Sequence, residues 1–266
     1  MDATGAVISG ATVTVTNEST GGKETVSTGG DGQYRLFDLN AGTYSIVFSH
    51  AGFGDQRIAH QVILARQVLS FDAHLTAGAV ATQVVVTGEA LTSDVATVSH
   101  SLSSSDINTL ALNFRATDST SPLYVATLTP SVQTDPSGNI SVAGGFPYTT
   151  SYSIDGISTV NARYNGPSAN LFPSVEAISE FKVNSANNDA EFGQPSDITV
   201  TTKSGTDTFH GGVYEFFQNS VFNASNPVTQ LKPHLTANDF GGYVGGPVAV
   251  PYLYNARNKS FFFGDY

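Results

Sequence analysis

The chain of 266 residues contains no cysteine, no tryptophan and a single methionine. Without cysteine, disulfide frameworks and thiolate metal sites are excluded, and the fold needs no particular redox compartment. Basic charge is scarce: 11 Lys plus Arg stand against 22 Asp plus Glu, for a net charge of −11. No basic block long enough to track a phosphate backbone occurs, so nucleic acid is not expected as a partner. Charged residues of both signs make up 12% of the chain, well below the usual share. No window holds the ~18 consecutive apolar residues of a membrane helix. The opening MDATGAVISG lacks the basic and then apolar segments of a signal peptide. The six histidines are scattered singly with no HExxH or comparable spacing. His50 and His74 therefore read as surface or hydrogen-bonded residues, and no metal or cofactor is expected. What fills the space is Gly, Ser, Thr and Asn, with aromatics at 11%, the balance of an exported β-protein.

The first part alternates apolar and polar residues in short runs: Ala11 to Thr16, Tyr34 to Leu36, Tyr44 to Phe48, Val62 to Leu64 and Leu69 to Leu75. Runs of this length separated by turns predict an all-β sandwich. Gly29-Gly30-Asp31-Gly32 is expected to make a tight hairpin turn between two of them. Thr76-Ala77-Gly78-Ala79 reads as a flexible break. It is followed by Thr82-Gln83-Val84-Val85-Val86-Thr87-Gly88, whose three valines between polar residues favour an extended strand with a backbone ladder suited to strand addition, or a linker strand packed on the sandwich.

Residues 177–210 read AISEFKVNSANNDAEFGQPSDITVTTKSGTDTFH, and are the most distinctive stretch of the chain. A β-branched strand over Glu180 to Val183 leads through an Asn-rich segment to Ala190-Glu191-Phe192-Gly193, then to a strand over Ile198 to Lys203 and a Ser-Gly-Thr turn. Those words resemble the plug-to-barrel junction of TonB-dependent outer-membrane receptors, in particular the Oar-like branch with its EFKVQTS, SAEFG and VNVVTKSGTNxFHG pattern. Three further resemblances agree with it. GAVISGATVTVTN, DGQYRLFDLNAGTYSIVFSHAGF and FDAHL resemble the carboxypeptidase-regulatory-like domain, a transthyretin-like sandwich, over residues 1–78. Ser153-Ile154-Asp155-Gly156-Ile157 resembles the plug's xLDGxxN pattern, with Asp-Gly as a turn. FHGGVYEFFQNSVFNA, NDFGGYVGG and NKSFFF resemble the first strands of an Oar-like barrel, at lengths suited to crossing an outer membrane.

The expected fold is therefore mostly β and multidomain: a transthyretin-like β-sandwich over 1–78, a linker over 79–92, a mixed α/β plug over 93–204, and from 205–266 the first strands of a truncated outer-membrane β-barrel. Within the plug, Asp106 is expected to cap a helix that turns Ile107 and Leu110 to one face. The family's LPLNGRN and LxPGV elements are altered here to Leu110-Ala111-Leu112-Asn113-Phe114-Arg115 and Leu128-Thr129-Pro130-Ser131-Val132, which bears on loop geometry rather than on the domain. Receptors of this class close with about 22 strands. With no leader at the start and a strand-like NKSFFFGDY at the end, the sequence is expected to be a fragment, a processed form or a truncated reading frame.

By the resemblance, Thr82 to Gly88 is a TonB box, captured by a TonB-type periplasmic energy-coupling protein. The full receptor would sit in the cell outer membrane, with its complete barrel in lipid and its N-terminal domain periplasmic, and would take up a scarce solute such as an oligosaccharide, a peptide or a chelate. Loops around Gly144 to Thr149 and Asn161 to Pro167 supply ligand candidates, Tyr148, Tyr152, Arg163, Tyr164 and Asn165, where aromatic and amide groups can hold a sugar or peptide and Arg163 an acidic group. The alternative is an envelope carbohydrate-binding or adhesion protein that stacks sugars on Tyr34, Tyr44 and Phe53 of the sandwich, although at strand spacing such aromatics are more often core. Glu176, Glu180, Asp189 and Glu191 crowd one region, yet no nucleophile elbow, phosphate loop or metal spacing accompanies them, and an enzyme is not expected.

Overall fold

The computed structural model describes residues 1–65, 67–78, 84–86, 91–92, 97–109, 123–135, 139–163, 165–168, 171–187, 193–222, 224–225, 232, 234, 236–250, 254–255 and 259–266. The chain divides into two compact units, the first built chiefly from residues 1–95 and the second from 96–204 with 209–246 and 262–266.

The first unit is a sheet of order β2-β1-β3-β4-β6, formed by β1 (Thr12–Asn17), β2 (Lys23–Ser27), β3 (Gly42–Ser49), β4 (Gln56–Ile63) and β6 (Val84–Val86). Period-2 alternation in β1 sends Val13 and Val15 inward, where they lie opposite Phe48 and Ile46 of β3. Strand β2 lies at an edge and is mostly polar, with Lys23 and Glu24 exposed there, which discourages pairing with other chains. A short pair, β5 (Leu69–Ser70) with β7 (Leu91–Thr92), stands apart from this sheet.

The strand expected over Tyr34 to Leu36 does not form. The glycine turn closes on itself, with the Gly29 amide donating to Gln33 O at 2.8 Å and Asp31 Oδ1 accepting from the Gln33 amide at 3.0 Å, and the following residues join no ladder. Their alternation has another origin: Tyr34, Leu36 and Leu39 pack against the core cluster beside Phe71 and Ala73. Leu69 to Leu75 is likewise strand only at its first two residues, while Phe71, Ala73 and Leu75 still turn towards the core.

The second unit holds a mixed sheet of order β12-β11-β14-β13-β8, built from β8 (Val98–Ser103), β11 (Thr150–Ile154), β12 (Ile157–Ser158), β13 (Ile178–Ala186) and β14 (Ser196–Thr202). Only β11 and β14 run parallel; the remaining pairs are antiparallel. Helices α1 (Ser104–Thr109) and α2 (Leu123–Ala126) and the hairpin β9 (Val132–Thr134) and β10 (Ile140–Val142) supply Ile107, Val125, Ala126, Ile140 and Val142 to a core with Phe181, Val183, Ile198 and Val200 from the sheet.

Capping of α1 differs from the expectation. The residue before the helix, Ser103, is the cap, and Asp106 reaches back to it: Asp106 Oδ2 accepts from the Ser103 amide at 3.0 Å and its hydroxyl at 2.6 Å, while the Asp106 amide donates to Ser103 Oγ at 3.3 Å. This is a reciprocal capping box, with the acid three residues in from the cap. Leu110 lies outside the described residues.

The expected Asp-Gly turn joins β11 and β12, with Asp155 at φ 49° and Gly156 at φ 81°. Positive φ at both central positions is the geometry that matches the right-handed twist of the flanking strands. The Asp155 carboxylate also accepts from the Thr202 amide at 2.9 Å and hydroxyl at 2.7 Å, so this turn pins the end of β14, the point where the chain leaves the sheet.

Beyond it lie β15 (His210–Asn219), β16 (Thr236–Pro247), the short pair β17 (Ala249–Val250) and β18 (Tyr254–Asn255), and β19 (Phe261–Asp265). The three longer strands form an open antiparallel sheet of order β15-β16-β19. Its glycines sit opposite bulky residues: His210 with Gly245, Gly212 with Tyr243, Tyr214 with Gly241, Gly211 with Val244 and Val213 with Gly242. Each missing side chain leaves room for its neighbour, which explains the aromatic-glycine texture of the sequence.

Candidate functional site

Three regions carry the functional expectations: the segment after the sandwich, the plug loops, and the faces of the plug and barrel strands. In the first, Val84–Val86 forms β6, parallel to β4 with Gln56, Arg57 and Ile58 as partners of Val84, Val85 and Val86. Thr82, Gln83, Thr87 and Gly88 lie outside the described residues.

The two plug loops meet. Asn165 Nδ2 donates to Tyr148 O at 3.0 Å, and the Tyr148 hydroxyl bonds Asn139 Oδ1 at 2.9 Å. Asn139 is itself held by Asp135, through its amide and its Nδ2, both at 2.8 Å. Backbone conformations here are unusual for side-chain-bearing residues: Ala143, Tyr148 and Asn165 have φ of 51°, 70° and 56°. Such conformations persist where surrounding contacts enforce them. Phe146, 82% exposed, and Tyr148, 41% exposed, present aromatic surface on one loop, and exposed Arg163 lies on the other, its amide donating to Asn161 Oδ1 at 2.9 Å. Rings, amides and one guanidinium on neighbouring loops can stack on a planar or sugar ring and hold an anionic group. Asn139 and Asp135 were missed by sequence reasoning; only their polarity beside a short hairpin hinted at a role.

Tyr152 does not belong with them. It is 1% exposed on β11, within the plug core, because strand alternation turns it to the apolar side between Ser151 and Ser153. Burial pushes its hydroxyl up to about 12, so it stays neutral in the folded chain. Tyr164 lies outside the described residues.

The side of the plug sheet facing away from the helices is polar. Ser151 Oγ donates to Asp197 Oδ1 at 2.8 Å and Thr199 Oγ1 donates to the other carboxylate oxygen, whereas the Thr150 and Ser196 hydroxyls, which bond at 2.8 Å, share the opposite side with Tyr152 and Ile198. Asp197, Thr199, Glu180 and Asn184 are nevertheless buried. Two contacts tie plug to barrel strands: the Ser174 hydroxyl donates to Asp265 Oδ2 at 2.8 Å, and Lys203 Nζ lies 5.0 Å from the centre of the Tyr243 ring. No sequence signal announced either.

The barrel strands show two faces. Val213 and Phe217 of β15 and Phe240 and Val244 of β16 fall on one side by register and are all exposed, Val213 at 93%. Tyr214, Phe216 and Tyr243 fall on the other and are half-buried. Glu215 and Asn238 share the exposed side, so it is rich in Val and Phe without being wholly apolar; valines and phenylalanines outward opposite half-buried aromatics resemble strands that contact lipid on one side.

The sandwich aromatics are core residues. Tyr34 stands edge-on to Phe48 at 5.7 Å and donates its hydroxyl to Phe71 O at 3.1 Å; burial first, and the nearby Asp72 charge second, push its hydroxyl up to about 12. Tyr44 is buried and donates to Asn40 O at 2.8 Å. Phe53 packs on the same core. No face for sugar stacking is built from these three. Among the described residues, no cluster of His, Asp and Glu is placed to hold a metal ion.

The β-rich first unit, the mixed α/β unit and the two-faced strands that follow it resemble parts of outer-membrane β-barrel proteins, and the chain is similar to the TonB-dependent transporter Oar. Residues 1–76 match the carboxypeptidase regulatory-like domain and residues 201–266 an outer membrane beta barrel domain. The TonB-dependent transporter Oar of Myxococcus xanthus is 26% identical over 272 residues, covering 96% of this chain and 24% of that protein; the chain thus spans about a quarter of its curated relative. Among solved structures, the siderophore receptor PirA from Acinetobacter baumannii is 18% identical with a TM-score of 0.43, covering 56% of this chain and 22% of that one. A variant of the ferric enterobactin receptor PfeA from Pseudomonas aeruginosa is 14% identical with a TM-score of 0.41, covering 57% and 22%. The chain is an outer-membrane protein, and its curated relative is a transporter.

Proposed function

We propose that this chain is the N-terminal portion of a receptor that takes up a scarce solute across the outer membrane using energy delivered through a TonB-type periplasmic protein. In this reading the sandwich (1–78) is periplasmic, Thr82 to Gly88 in the linker (79–92) is the coupling segment, the plug (93–204) closes the pore, and the strands from 205 onward open the barrel. The observation that carries the reading is the continuity from plug to membrane strands. The Lys203 amide bonds Ala177 O at 2.7 Å as β14 ends, and seven residues later the chain becomes β15, whose exposed side carries Val213 and Phe217 around Glu215. A plug fused so closely to lipid-facing strands suits a gated barrel rather than a free-standing binding module.

The solute side is the loop pair carrying Phe146, Tyr148, Arg163 and Asn165. An oligosaccharide, a peptide or a metal chelate each offers the rings and anionic or amide groups that these side chains can hold. The test uses the full-length receptor and a panel of ferric chelates, oligosaccharides and peptides, with surface binding and energised accumulation measured together. Val85→Pro removes a backbone donor from the coupling strand. Accumulation should be lost while binding stays near wild type; normal accumulation in the variant would reduce this segment to a linker.

A further inference from the structure

The coupling strand does not hang free: β6 is the outermost strand of the sandwich sheet, beside β4. A parallel neighbour within one chain requires a crossover of a dozen or more residues, and residues 64–83 supply it. That crossover is anchored just before the strand. The Gly54 amide donates to Thr76 O at 2.9 Å, the Gly78 amide donates to Gly52 O at 3.1 Å, and Phe53 and Ala77 form an isolated bridge. Only residues 79–83 separate the anchored Gly78 from Val84. So short a tether keeps the strand beside β4 at an effective concentration in the millimolar range.

We infer that the N-terminal sandwich is an intramolecular competitor for the coupling strand, holding Val84–Val86 against β4 until the periplasmic coupling protein displaces it. The inference rests on the coupling-segment reading above and adds a regulator to it. Strand addition draws its affinity from main-chain hydrogen bonds, with side-chain pockets setting specificity. While Val84–Val86 is docked, the backbone groups facing β4 are committed, and only those of the opposite edge remain. A three-residue ladder is short enough to open and close rather than lock. The partner's apparent affinity is then reduced by the fraction of time the strand is undocked. The sandwich thereby sets a threshold for coupling without contacting the coupling protein itself.

The test compares three forms against the isolated periplasmic domain of the TonB-type protein: the 266-residue chain, a free peptide spanning Thr82 to Gly88, and the chain carrying Arg57→Cys with Val85→Cys. Those two positions are register partners, and the chain has no cysteine of its own, so oxidation can join only this pair. A strand free about one-tenth of the time should make the chain bind about tenfold more weakly than the peptide. The oxidised double variant should lose binding, and reduction should restore it to the level of the unaltered chain. Chain and peptide binding equally would overturn the competition, as would an oxidised variant that binds as well as the reduced one, which would mean that the sandwich presents the strand. Failure of the pair to oxidise would remove the docking itself. A free peptide that does not bind would instead sink the coupling-segment reading, and so separates the two failures.

Discussion

Ser131 occupies φ 71° in the turn that leads into β9, at the position where the Oar-like LxPGV element carries glycine. Its carbonyl accepts from the Ala143 amide at 2.7 Å, so the turn is retained although the residue best suited to it is not. A side chain in the left-handed region costs about 1–2 kcal/mol, partly offset by the entropy that glycine loses on folding. Ser131→Gly should therefore raise stability by up to about 1 kcal/mol, read as a higher urea midpoint with unchanged slope; a lower midpoint would show that the serine is compensated. Asp106 makes a second prediction at this scale. Hydrogen bonds from the Ser103 hydroxyl and then its amide hold the Asp106 carboxyl below its ordinary value of 3.8. Because the folded value is the lower one, the unfolded chain gains the proton first as pH falls. The contribution of this cap is full above about pH 3.8 and is lost as pH drops through the depressed folded value. Asp106→Asn should flatten that part of the acid dependence of the urea midpoint, and an unchanged acid slope would contradict the assignment. Tyr152 shows where residue-level reading fails: beside Tyr148 in sequence it looked like a loop aromatic, but strand alternation buries it.

Among the elements, alternation in the sequence located β1, β3, β13 and β14 to within a few residues, because each shows one face to a core. It could not say which strands pair. The parallel contact of β11 with β14 joins segments more than forty residues apart, and nothing local encodes it. Alternation also overreached at Tyr34 to Leu36, since side chains that cover a sheet show the same period as side chains within one. The barrel strands make a sharper prediction through their glycines. A Cβ on Gly241 would collide with the Tyr214 ring and the Tyr266 carbonyl, whereas one on Gly264 meets nothing within 4 Å. In the full-length receptor, Gly241→Ala should impair assembly of the folded barrel, seen as loss of the heat-modifiable species on gel electrophoresis, and Gly264→Ala should leave that species intact. Equal behaviour of the two variants would mean that the tight pairing of β15, β16 and β19 is not what the barrel requires.

At the scale of the whole molecule, the junction words from Glu180 to His210 made the order of strands legible, because they set β13, β14 and β15 in sequence. The pairing of the two loops through Tyr148, Asn165 and Asn139 was only half legible. The loops stood out by composition, but the bonds that join them depend on backbone geometry. The docking of β6 on β4 was foreseen only as a linker strand on the sandwich, and under the proposed function the strand must be released before it can be captured. All of this depends on the central claim that the segment through Val85 is where energy enters. The most direct measurement places a photo-cross-linking residue at position 85 of the full-length receptor in living cells and identifies what it captures. The account predicts an adduct with the periplasmic domain of the TonB-type protein. An adduct yield at background, in cells where that protein is present and the receptor is folded in the outer membrane, would contradict it.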